Sequence, residues 1–119
     1  MLFICCACSN QEPVVYEFMR VSENEALEMM QTMDDYIILD VREPNEFGTL
    51  RIEGAINIPV GTIDEIVIET LTNKDQTIFV YCRSVNRSLT ASQKLYDLGY
   101  TNIIEMGGLL DWEGPTFPN

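Results

Sequence analysis

The sequence has 119 residues, 46% of them hydrophobic and 22% charged, a size and balance suited to one globular domain with its own core. Nineteen acidic against seven basic residues leave a formal charge of −12 at pH 7, a field that repels phosphate backbones and anionic headgroups and excludes nucleic acid as a partner. Histidine is absent, which removes Ser/His and Cys/His catalysis and every histidine-ligated metal site, and the four cysteines fit neither a disulfide framework nor a paired C-x-x-C metal knuckle.

Three of those cysteines, Cys5, Cys6 and Cys8, crowd an apolar start, Met1 to Cys8, that gives way abruptly to Ser9-Asn10-Gln11-Glu12. Residues 1–12 are therefore expected to stand apart from a domain over residues 13–119. Cys5-Cys6-Ala7-Cys8 resembles a bacterial lipobox, in which a small residue precedes a cysteine that is lipidated. On that reading Cys8 carries a lipid and the protein is extracytoplasmic; on the other, the segment is a disordered tail on a cytoplasmic protein. No other stretch is long and apolar enough to cross a membrane.

From Pro13 onward, extended apolar runs alternate with helix-like segments, the pattern of an α/β domain with parallel strands joined by helical crossovers. Tyr16 to Val21 reads as a short first strand. Ser22-x-x-Glu25 reads as a capping box opening a helix to about Met33, with Ala26, Leu27, Met30 and Met33 on its buried face. Tyr36-Ile-Ile-Leu-Asp40 has the continuous apolar character of a buried parallel strand ending in an acid, and Ala55 to Ile58 reads as another, stopped by Pro59. Thr62-x-x-Glu65 repeats the capping signature for a helix that buries Ile63, Ile66, Val67 and Leu71.

Thr77-Ile-Phe-Val-Tyr81 is apolar throughout and is expected at the sheet centre. A helix follows from about Arg87 to Leu98, with Gly99 suited to the left-handed position after its end. Asn102 to Glu105 reads as a last strand, and Gly107-Gly108 as a turn into a short helix containing Trp112.

Between the central strand and its helix lies Cys82-Arg83-Ser84-Val85-Asn86-Arg87-Ser88, at the carboxyl edge of the sheet, where open α/β folds bind ligands. A tight loop entering a helix N-terminus gathers backbone N–H groups at one point, and the helix dipole adds positive potential there. Arg83 and Arg87 add full charges in an otherwise acidic chain. The nucleophilic form of cysteine is the thiolate, which such a field favours. A lone buried cysteine is commonly a small apolar packing residue. Two arginines, two serines and an asparagine within six residues are not explained by packing.

This loop resembles the active-site loop of rhodanese domains. Leu39-Asp-Val-Arg-Glu43 with Glu46-Phe47 resembles the family's first motif, Gly54-Ala-Ile-Asn-Ile-Pro59 its second, and Gly107-Gly108-Leu-Leu-Asp-Trp112 its closing one. The similarity runs from about Val21 to Gly114. It implies a three-layer α/β fold, with about five mostly parallel strands between helices, and a sulfurtransferase needing no cofactor or metal. Cys82 would take sulfane sulfur from a donor such as thiosulfate and pass it, as a persulfide, to a thiol or other acceptor, including a sulfur-accepting protein. The backbone amides of Arg83, Ser84, Val85, Asn86, Arg87 and Ser88 would hold the persulfide. Arg83 and Arg87 would attract the anionic donor, while the Ser84 and Ser88 hydroxyls would hydrogen-bond it. Asp40 and Arg42 would brace the loop as an internal ion pair. A monomer is expected.

Two departures stand out. Val85 occupies a position where the family commonly has glycine, so either the backbone keeps a negative φ there or it is strained. Leu50-Arg51 replaces the usual Gly-His before the second motif, which puts the shape of that turn in question. Two rival functions remain open: a cysteine phosphatase of related fold, and a non-catalytic binding or sulfur-sensing module. Against the first, only four residues separate Cys82 from Arg87, where the phosphatase pattern has five.

Overall fold

The computed structural model describes residues 15–119. The expectations for residues 1–12, lipidation of Cys8 among them, lie outside that range. In chain order the elements are β1 (Met19–Arg20), α1 (Glu23–Gln31), β2 (Ile37–Asp40), α2 (Pro44–Thr49), β3 (Arg51–Ile52), β4 (Ile56–Asn57), α3 (Ile63–Thr70), β5 (Thr77–Cys82), α4 (Asn86–Asp97), β6 (Asn102–Gly108) and β7 (Thr116–Phe117). Short 3-10 turns at Val60–Thr62 and Leu109–Asp111 precede α3 and follow β6.

Five strands form one parallel sheet in the order β1-β6-β5-β2-β4, with β5 at its centre as its apolar run predicts. The strand is apolar throughout because both faces are covered. Ile78, Val80 and Cys82 point into a core shared with Ile63 and Val67 of α3 and Ala91 and Leu95 of α4. Phe79 and Tyr81 point the other way, into a core with Ala26 and Met30 of α1. This alternation sends the Cys82 side chain toward α4 rather than α1.

The local signals held unevenly. At α1 the capping box forms in full: Ser22 Oγ accepts from the Glu25 amide at 3.1 Å, and the Glu25 carboxylate accepts from the Ser22 amide at 2.8 Å. At Thr62 it does not form. The 3-10 turn after Pro59 leaves Thr62 inside a turn, and its hydroxyl donates to Pro59 O at 3.2 Å instead of capping α3. Gly99 does take a left-handed φ, +99°.

Three elements differ from expectation. The first strand is only Met19–Arg20, the last extends through Gly108, and Leu109–Asp111 forms a 3-10 turn that ends before Trp112. The helix α2 and a small antiparallel sheet of β3 with β7 were not anticipated. At the Leu50-Arg51 departure the chain makes no turn: Arg51 pairs with Phe117 in that sheet. Among the described residues no helix is long and apolar enough to cross a membrane.

Candidate active site

Cys82 ends the central strand, is 1% exposed and is a free thiol. Three residues later the chain enters α4, with Val85 in the N-cap position. Valine has no side-chain acceptor, so it cannot satisfy the helix's first amides as serine or aspartate does. The amide of Ser88, the one such a cap would take, donates instead to Cys82 Sγ at 3.3 Å. The sulfur thus occupies the role of the capping atom. The amides of Asn86 and Arg87 beside it have no intrahelical acceptor, because they lie in the first turn. The Val85 question also resolves: its φ is −162°, extended backbone open to any residue, and among the described residues only glycines have positive φ.

Beneath the loop lies a buried carboxylate. Glu105 Oε2 accepts from Ser88 Oγ at 2.6 Å and from the Gly107 amide at 2.8 Å, while Oε1 accepts from Arg20 Nε at 2.9 Å. Ser88 is fully buried, and its hydroxyl lies within hydrogen-bond reach of this carboxylate at 2.6 Å and of the Val85 carbonyl at 2.8 Å. In the structure the Ser88 amide is the group that faces the sulfur, and its side chain ties α4 to β6. Gly108 completes the floor. A Cβ there would collide with the Arg83 carbonyl and come within 2.6 Å of Ser84 N, so the loop backbone rests where a side chain would have to be. The Gly108 amide donates to Glu23 Oε2 at 2.9 Å, and Leu110 N to Arg83 O at 3.2 Å.

The two loop arginines are placed differently. Arg87 makes a two-pronged ion pair with Glu46 of α2, at 2.7 and 3.1 Å. The Arg87 hydrogen bonds hold the Glu46 carboxyl down at about 2, with help from the Glu43 amide and against its partial burial. Arg83, in contrast, is exposed and has no carboxylate partner among the described residues. Ser84 and Asn86 are exposed as well. Arg83 forms one wall of an open cleft of about 450 Å3, whose other walls include Arg42, Glu46, Leu50, Leu109 and Leu110.

Asp40 and Arg42 form their ion pair at 2.7 Å, both buried. Its partners lie on the α1 side of the sheet. Tyr81 donates to Asp40 Oδ2 at 2.5 Å and accepts from the Ile52 amide at 3.0 Å, while Arg42 donates to Leu50 O at 2.6 Å. Burial, and then the Asp40 carboxylate, push the Tyr81 hydroxyl well above its ordinary range, so it stays a donor.

Sequence reasoning missed Glu46, Glu105, Gly108 and Leu110 as members of the site. Glu105 had one signal, an acid inside an apolar strand, and Gly108 another, a glycine pair at the end of that strand.

An α/β domain with a cysteine at the carboxyl end of its central strand, facing a helix N-terminus, defines the class. Residues 22–114 match the family model described as the rhodanese-like domain. The thiosulfate sulfurtransferase PspE of Escherichia coli strain K12 is 36% identical over 73 residues, which cover 61% of this chain and 70% of that protein. The putative sulfurtransferase YtwF of Bacillus subtilis is 31% identical over 102 residues, 86% of this chain and 97% of that one. Among solved structures, a rhodanese from E. coli with anions superposes with a TM-score of 0.66 at 32% identity, covering 71% of this chain and 99% of that chain. The chain belongs to the rhodanese family.

Proposed function

We propose that the protein is a sulfurtransferase in which Cys82 carries the transferred sulfur. The observation that carries this reading is the seating of Cys82 Sγ on the Ser88 amide, 3.3 Å away, at the uncapped first turn of α4. A thiolate there is met by hydrogen-bond donors without surrendering any existing bond, which suits both a nucleophile and the persulfide that replaces it. The thiolate attacks the sulfane sulfur of a donor such as thiosulfate; the new S–S bond forms as the old one breaks, and sulfite leaves with its electron pair. The terminal sulfur extends toward the first-turn amides and then passes to a thiol or another nucleophilic acceptor, which includes a sulfur-accepting protein. Arg83 supplies the positive charge that draws the donor in. The Asp40–Arg42 pair has a bracing role, holding the corner between α2 and β3 on the sheet.

Phosphatase chemistry is less well supported. Arg87, the loop arginine that a phosphoryl group would need, is held by Glu46, and only four residues separate it from Cys82. Incubation with thiosulfate or another sulfane donor, followed by intact mass, tests the reading: one added sulfur atom is expected, lost on addition of cyanide or a thiol. No adduct with any sulfane donor overturns it.

A further inference from the structure

We propose that the groove between α1 and the β3–β7 pair is a docking surface for a protein segment that presents apolar side chains together with lysine or arginine. The residues it uses lie outside the Cys82 loop, so it stands or falls independently of sulfur transfer.

The two faces of the sheet are covered unequally. The core on one face draws on α3 and α4, whereas the core on the other takes its buried helical residues from α1. Beside α1 two adjoining hollows of about 380 and 420 Å3 remain, and Tyr36, Ile38 and Glu53 line both. The first continues to Leu27 and Trp112, the second to Met33 and Asp34. Ile38 and Ile52 make a closed apolar floor, while Leu27, Met33, Tyr36 and Trp112 stay half-buried. Tryptophan, tyrosine and methionine are side chains that protein interfaces favour.

The walls are set in advance. The Trp112 indole donates to Pro115 O at 3.1 Å, and the Glu53 amide donates to the same carbonyl at 3.1 Å. The indole ring lies over Gly114, where a Cβ would come within 2.7 Å of Trp112 Cε2 and 3.0 Å of Leu27 Cδ1. Tyr36 stands edge-on to Phe79, with ring centroids 5.5 Å apart. A surface already ordered loses little conformational entropy when a partner settles on it.

Charge selects the occupant. Asp34 and Glu53 are exposed, no lysine or arginine lines either hollow, and among the described residues neither carboxylate has a basic partner. An apolar surface rimmed by unpaired acids complements apolar side chains flanked by cations. Anionic lipid and nucleic acid are repelled by a chain of formal charge −12, and a second copy would bring the same acids to the contact. Residues 1–14 contain no lysine or arginine and so lack the matching charge. None of the buried polar side chains converges on either hollow, as a small-molecule site would require, whereas two open hollows side by side suit successive side chains of one segment.

The test titrates the full chain with two peptides of leucine and lysine, one with its leucines at helical spacing and one with strict alternation. Trp112 is the single tryptophan of the chain, so its emission reads the groove directly. A saturable emission change is expected with at least one peptide, with NMR amide shifts confined to α1, β2 and the segments around Glu53 and Trp112. Analogues with glutamate for lysine, or serine for leucine, should each lose about a factor of ten in affinity or more. Asp34→Asn combined with Glu53→Gln removes two exposed charges and leaves the apolar floor untouched. That variant should melt as the wild type does, while affinity falls about three- to tenfold. The absence of a saturable change with both peptides, equal binding of either analogue, undiminished affinity in the double variant, or amide shifts spread over the acidic residues of α3 and α4 overturns the proposal.

Discussion

Two polar clusters lie at the carboxyl ends of neighbouring strands, on opposite faces of the same sheet. On the α1 side every strong group has its partner: Asp40 holds Arg42 and Tyr81, Tyr81 receives the Ile52 amide, and Arg42 reaches the Leu50 carbonyl. On the α4 side the donors exceed the acceptors. Val85 leaves the first turn uncapped, and only the Ser88 amide has found the sulfur. A buried network with its bonds complete resists change and fixes geometry; a cluster with spare donors beside a nucleophile is poised for an anion that has not yet formed. On the proposed reading the first region is a brace and the second a place for chemistry.

Four substitutions sharpen that contrast. The largest effect after loss of the nucleophile itself is expected from Gly108→Ala, because the added methyl occupies the space of the Arg83 carbonyl and must displace the loop. Stability should fall by about 1–3 kcal/mol in chemical denaturation, and sulfur loading at least tenfold. Val85→Asp supplies the missing cap: its carboxylate competes with Cys82 for the first-turn amides, so the domain should gain about 1 kcal/mol while loading slows. Stability and reactivity moving in opposite directions is the result the brace-and-chemistry contrast requires; a variant both less stable and equally reactive would break it.

Tyr81→Phe strikes the other cluster. It strands the Ile52 amide and removes a donor from Asp40, at an expected cost of about 1–3 kcal/mol, with saturated loading rates little changed. The smallest effect is that of Glu46→Gln on stability. Arg87 lowers the Glu46 carboxyl from 4.5 to about 2, so its contribution is present above about pH 4.5 and is lost as pH falls through about 2. The pair is partly exposed, which limits it to about 1 kcal/mol or less. Melting curves of the two proteins should differ at pH 6–7 and converge near pH 2.

How much of this the chain revealed in advance follows the range of the interactions. The central strand showed itself because both its faces are buried, so that Thr77 to Cys82 is a nearly unbroken apolar run. The Ser22 box needs only atoms three residues apart and formed as read; the similar pattern at Thr62 failed because Pro59 and the 3-10 turn claimed that segment first. Cys82 and its loop stood out in the clustering of unusual residues. The partners of Arg87 and Ser88 did not, since these are Glu46, 41 residues away, and Glu105, 17 residues away on another strand. The pairing of Arg51 with Phe117 is longer in range still, and no local pattern of two residues announces a strand.

The central claim is that sulfur is carried on Cys82 and on no other atom. Intact mass and peptide mapping of the wild type and Cys82→Ser, both exposed to the same sulfane donor, test it most directly because three further cysteines stand near the N-terminus. One sulfur atom mapped to Cys82 in the wild type and none in the variant is the predicted result. Sulfur retained by Cys82→Ser and released to an added thiol at the wild-type rate would contradict it.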